Sequence, residues 1–202
     1  MIRNTVKYLA GIFFIMVVLN ACASTKVSES WVDEKYQGNP VSDILVIAVT
    51  DEKTIRRAFE ARFVKRLKAV GANAVSSANA ISTNELMKLD KPAILRATEK
   101  YNCDSVLITR LSGVDEKTVY NRPAHYGGYY GYYGHYHGYI HSPAYQTSQT
   151  FYRLETVLYD VKTEKPIWSM LSRTWDRDSE KQIINEVINV AIKDMRKKKV
   201  IP

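Results

Sequence analysis

His135 and His137 stand two residues apart, with His125 and His141 nearby, and these four are all the histidines of the chain. Imidazoles in that pattern suit Zn, Cu or Ni, and the neutral, ligating form prevails above about pH 6.5. No carboxylate or thiolate accompanies them, and glycines interrupt the tract, so a ligand set is not organised there. A His-X-His in a biased tract is read first as composition, with a metal site at His135 and His137 as the alternative. The same tract is crowded with tyrosine: nine of the fourteen tyrosines and five of the nine glycines lie between positions 120 and 145. Tyr126, Tyr129, Tyr130, Tyr132, Tyr133 and Tyr136 offer aromatic area at low entropic cost and keep a hydroxyl for hydrogen bonding. That chemistry fits contact with a glycan, a lipid headgroup or a protein. Between positions 123 and 146 there is no Lys, Arg, Asp or Glu. Single-strand nucleic-acid binders interleave aromatics with cations, so nucleic acid is not an expected partner.

For catalysis the chain offers little. It has no Gly-x-Ser-x-Gly elbow, no His-Glu-x-x-His helix and no phosphate loop. With every histidine in the tyrosine-rich tract, a Ser or Cys nucleophile elsewhere lacks an imidazole base unless that tract folds over it. Cys103 reads as a small buried hydrophobe at a helix-to-strand junction. Asp104, Asp115 and Glu116 read as strand-end acids. A non-catalytic protein without a cofactor is the expectation.

Cys22 carries different chemistry. Arg3 and Lys7 stand in an acid-free start, and residues 9–19 are apolar except for Gly11. This has the layout of a secretory signal. Eleven residues at ~1.5 Å rise cover only ~16 Å of a hydrocarbon core ~30 Å thick, too short for a stable span. The run ends in Leu19, Asn20, Ala21 and Cys22, which resembles the lipobox of bacterial lipoproteins, whose cysteine receives a diacylglyceryl thioether before cleavage. The resemblance implies residues 1–21 as a signal peptide, Cys22 as the lipid (palmitate) attachment site, and the membrane as a partner through it. Ala23 stands where an Asp is similar to the inner-membrane retention signal, which implies the outer membrane, periplasm-facing. Cleavage removes Arg3 and Lys7, so the net charge of +8 becomes +6 on 181 residues. Cys103 is then the one remaining thiol, and an internal disulfide is excluded.

The elements that must position these groups follow from periodicity. Residues 22–30 read as a lipidated tether and residues 31–36 as a short edge strand or strap. Residues 44–49 are six consecutive apolar residues, mostly β-branched, as in a strand buried on both faces. Ile55, Phe59, Phe63, Leu67 and Val70 recur at helical spacing, with Thr50 or Asp51 as cap and Gly71 as the exit. The basic residues of that helix, Arg56, Arg57, Arg62, Lys65, Arg66 and Lys68, read as a solvated face. A short strand follows at 74–77 and an ambiguous connector at 84–90. A second helix then runs from near Pro92 to Asn102, and a third strand covers 105–111. Residues 120–146 form a long insertion, read as a glycine-rich flap. Residues 151–159 and 167–175 alternate and pair as a hairpin. Ser179 to Gln182 matches a capping box, and Ile183, Ile184, Val187, Ile188, Ala191, Ile192 and Met195 line one face of a last helix. Its cationic end, Arg196 to Lys199, complements the helix dipole. The fold class expected is α/β: a single mixed β-sheet packed with helices, in the order βαβαβ, insertion, ββα, forming one domain over 31–202.

Trp31, the Arg57 to Phe63 helix start, Gly71 to Ser76, the strand from Asp104 to Leu111, the Tyr/Gly-rich insertion, and Leu158-Tyr159-Asp160 followed by Ile167-Trp168-Ser169 together resemble a family of uncharacterised bacterial lipoproteins. The resemblance covers nearly the whole mature chain. More distantly, the element order is similar to the N-terminal domain of TolB, to lipoprotein activators of penicillin-binding proteins and to the curli secretion lipoprotein. These act through protein contacts, which implies an envelope protein or glycan partner here. No catalytic or binding residue of theirs matches a position in this chain, so none is carried over.

Overall fold

Alternate residues of a strand point to opposite faces, so an unbroken apolar run must be covered on both sides. The run at 44–49 becomes β2 (Asp43–Val49) in the computed structural model, which describes residues 25–36, 39–87, 91–121, 145–175 and 179–202. Ile44, Val46 and Ala48 pack on one face with Phe59, Phe63 and Leu67 of α1 (Lys53–Ala69) and Ile184, Val187 and Ile188 of α4 (Glu180–Lys197). Leu45 and Ile47 pack on the other with Ile81, Leu86, Ala93 and Ala97, which α2 (Thr83–Met87), α3 (Lys91–Tyr101) and the turn before them supply.

The sheet has six strands in the order β1-β6-β5-β4-β2-β3. Here β1 is Thr25–Val32, β3 Asn73–Ser76, β4 Ser105–Asn121, β5 Tyr145–Asp160 and β6 Pro166–Trp175. β2 pairs in parallel with β3 and β4, and every other pairing is antiparallel. This is the expected α/β fold, a single mixed sheet packed with helices. Gly71 (φ 91°) and Asn102 (φ 51°) take the left-handed conformation at the two predicted helix exits. Ser179 accepts from the Gln182 amide at the start of α4.

Four local readings change. The edge strand begins at Thr25, so residues 25–30 pair with β6 instead of serving as a tether. β4 and β5 run on to Asn121 and from Tyr145, so both ends of the 120–146 insertion belong to a ladder. The pairing there is made by backbone hydrogen bonds, which a reading of hydrophobic periodicity does not register. Glu52 caps α1 without a side-chain bond, while Thr50 Oγ1 accepts from the Glu52 amide at 3.2 Å. Arg56 is buried, not solvated, because Glu60 one turn on gives it a partner inside the protein. Among the described residues, no helix is long and apolar enough to cross a membrane.

Candidate functional site

The crossover from β2 to β3 carries α1 on one face of the sheet, and the return to β4 carries α3 on the other. The chain leaves β2 towards β3 and leaves β4 towards β5, on opposite sides, so the strand order reverses between β2 and β4. A crevice opens past the carboxyl end of β2, alongside the longer β4, near where open α/β sheets hold ligands. A cavity of about 460 Å³ lies there, between the first turns of α1 and α4. That volume is within the range of small-molecule sites. Ile55 and Phe59 of α1, Leu111 of β4, Leu154 of β5, and Ile183, Ile184 and Val187 of α4 give it apolar walls. Thr50, Thr109, Arg110, Tyr152 and Glu180 are the polar residues of its lining. Leu111 is 53 % exposed, although its neighbour Leu107 is fully buried. β4 passes out from under the helices at this point, so an apolar side chain that faces the core at Leu107 faces open space at Leu111.

Polar groups around the cavity are tied to one another. Thr109 shares a 3.1 Å hydrogen bond with Thr156. Arg110 donates to Glu155 at 2.7 Å. A larger network lies on the other side of α1. Glu60, fully buried, accepts through Oε1 from the Ala48 amide (3.0 Å), from Arg56 Nε (3.1 Å) and from Ser77 Oγ (2.9 Å). Its Oε2 accepts from Ser76 Oγ (2.6 Å) and the Ala78 amide (2.9 Å). Arg56 also donates to Ser77 Oγ at 2.8 Å. One carboxylate thus joins β2, α1, β3 and the turn after it. Every one of these partners belongs to the fold, so the network is structural.

A third polar cluster holds the edge strand. Asp194 of α4 accepts from Ser30 of β1 and from Trp168 Nε1 (2.8 Å), with Lys198 Nζ at 3.6 Å. Partial burial works to raise this carboxyl's pKa, but the Ser30 and Trp168 hydrogen bonds and the Lys198 charge outweigh it and hold Asp194 below the usual carboxylate range.

Of the residues singled out by sequence, Cys22, Tyr126, Tyr129, Tyr130, Tyr132, Tyr133, Tyr136, His125, His135, His137 and His141 lie outside the described residues. Cys103 is half-buried, and burial, together with Asp104 and Asp43, pushes its thiol up to about 11, the opposite of an activated nucleophile. Asp104 accepts from the Ser42 and Asp43 amides at 3.0 and 3.3 Å and so ties the start of β4 to β2. Asp115 meets Arg153 at 3.2 Å and Arg173 at 3.9 Å. Arg173 in turn lies 4.0 Å over the Phe151 ring, which stacks on Trp175. Among the described residues, no group of three or more His, Cys, Asp or Glu is placed to hold a metal ion. The cavity itself had no motif to announce it; the one signal was element order, which places a switch point between β2 and β4.

No family model and no curated protein sequence matches the chain. Solved structures of similar fold include the PelC dodecamer from Paraburkholderia phytofirmans, at 13 % identity and a TM-score of 0.46, covering 83 % of this chain and 94 % of that one. The lipoprotein GNA1162 from Neisseria meningitidis is similar at 14 % identity and a TM-score of 0.41, covering 77 % of this chain and 99 % of that one.

Proposed function

We propose that the chain is a non-catalytic lipoprotein, anchored through Cys22 to the outer membrane and facing the periplasm, whose α/β body binds or scaffolds another component of the envelope. The observation that carries the binding role is the cavity at the β2/β4 switch point. Its walls are apolar, and its polar neighbours Thr109 and Arg110 are engaged by Thr156 and Glu155. Such a site gains affinity by taking apolar surface out of water, at roughly 25 cal/mol per Å². It aligns no nucleophile with a base. The anchor reading is supported by the charged start, the short apolar run and the small residue before Cys22.

Labelling cells with radioactive palmitate tests the anchor: wild type takes up label and Cys22→Ser does not. Label persisting in Cys22→Ser overturns it. Crosslinking in intact cells tests the binding role. Recovery of an envelope component that falls when Leu111 is changed to Arg, or when residues 122–145 are deleted, supports it. No component recovered from wild type, with both variants behaving like wild type, overturns it.

A further inference from the structure

Three features share one end of the sheet. Thr25, the first described residue, pairs with Thr174, which pairs with Tyr152, which pairs with Val114. Thr25 therefore stands level with Tyr152 on the cavity wall, two strands away, and donates to Glu186 of α4 at 3.1 Å, beside the wall residue Val187. Two strand spacings are ~10 Å. Cys22 precedes Thr25 by three residues, and three residues span at most ~11 Å. The β4–β5 ladder also leaves the body at this end, with seven residues of β4 beyond Val114, or ~23 Å.

Resting on the anchor reading above, we propose that this end of the sheet faces the bilayer and that the cavity takes one acyl chain of a membrane phospholipid with an ammonium headgroup. A hairpin reaching ~23 Å past Thr25 is longer than the ~11 Å the anchor segment allows. With Cys22 in the membrane the hairpin cannot stand clear of the surface and must lie along it or enter it, so the body is held with its cavity against the lipid. An apolar cavity in that position meets acyl chains at far higher local concentration than any soluble apolar group. Charge at the rim selects among them. Arg110 is neutralised by Glu155, which leaves Glu180 as the unpaired charge among the described residues lining the cavity. An anion there repels a fatty acid carboxylate or a phosphatidylglycerol headgroup and attracts an ammonium.

The test uses the full chain, produced with its signal and Cys22, extracted and reconstituted in vesicles of phosphatidylethanolamine and phosphatidylglycerol. The ethanolamine lipid carries a photoactivated diazirine in one acyl chain, and adducts are located by peptide mass spectrometry. The expected result is adducts on the peptides bearing Leu111, Leu154 and Ile183, reduced at least tenfold in Leu111→Trp, which fills the cavity from an exposed position. Leu95→Trp, exposed on α3 across the sheet from the cavity, leaves them unchanged, and moving the diazirine to phosphatidylglycerol lowers them severalfold. Wild-type protein that pellets with the vesicles but shows no adducts on those peptides, or equal adducts in Leu111→Trp, overturns the acyl site while leaving the anchor standing. Protein that stays in the supernatant overturns both.

Discussion

The first two turns of α1 divide two kinds of interior. On one side Arg56 and Glu60 are buried with their polar atoms bonded to β2, β3 and the following turn. On the other side Ile55 and Phe59, from the same turns, look into open volume. The polar side is closed and the apolar side is open, the reverse of what solvation alone favours. A buried charge is tolerable only when its partners are fixed, so the Glu60 network constrains the fold and has no capacity left for a ligand. An apolar cavity costs the protein dispersion contacts that a ligand can restore. Closed polarity marks structure here, and open apolarity marks the site.

The largest effect tests the closed side. Glu60→Ala leaves the Arg56 guanidinium buried without its counter-ion and is expected to cost about 3–5 kcal/mol. The double variant Arg56→Met with Glu60→Leu removes both charges and keeps comparable volume. It should recover a large part of that loss, as read from urea midpoints of the two variants beside wild type. If the double variant is as unstable as Glu60→Ala, the network stabilises the fold by more than mutual neutralisation.

A middle-sized effect lies at Asp194, a carboxylate that is neither fully closed nor open. Asp194→Asn weakens the bonds from Ser30, Trp168 and Lys198, and about 1–2 kcal/mol is expected. The pH dependence has a fixed sign. The folded pKa is depressed, so the stabilisation is complete above the ordinary Asp value near ~4 and is lost as pH falls through the lower folded value. The stability gap between wild type and Asp194→Asn should therefore narrow from pH 6 to pH 3. A gap that is constant across that range assigns the effect to packing, not to the charge. Because Ser30 is in β1, hydrogen exchange in residues 25–32 should rise in the variant before it rises in β2.

The contrast also explains what the sequence could reveal. The apolar run at 44–49 announced a strand covered on both faces, and the spacing of Phe59, Phe63 and Leu67 announced the helix that covers one of them. Edge strand β1 was hidden because Thr25 to Ser30 alternates weakly. Its stabilisation comes from β6 and from Asp194, 164 residues after Ser30. Arg56 and Glu60 have the spacing of an ordinary surface pair, and only the return of Ser76, Ser77 and Ala78 makes the site an interior one. The cavity was illegible for a related reason. Leu111, Leu154 and Ile183 are unremarkable apolar residues in their own elements, and the space between them exists because α1 and α4 both begin short of where β4 and β5 continue.

The smallest effect on stability sharpens the comparison furthest. Leu111 is more than half exposed, so Leu111→Ser removes little buried surface and should shift stability by no more than about 0.5 kcal/mol. Phe63→Ala, a few residues along α1 and fully buried, should cost about 3–5 kcal/mol in the same urea titration. A ligand in the cavity changes this ordering. Bound apolar material covers Leu111, so in protein extracted with its membrane lipid the cost of Leu111→Ser should grow, while the cost of Phe63→Ala, already enclosed by protein, should not. A Leu111→Ser penalty identical in lipid-containing and delipidated protein means that the open side of α1 stays empty and the cavity is a packing defect, not a site.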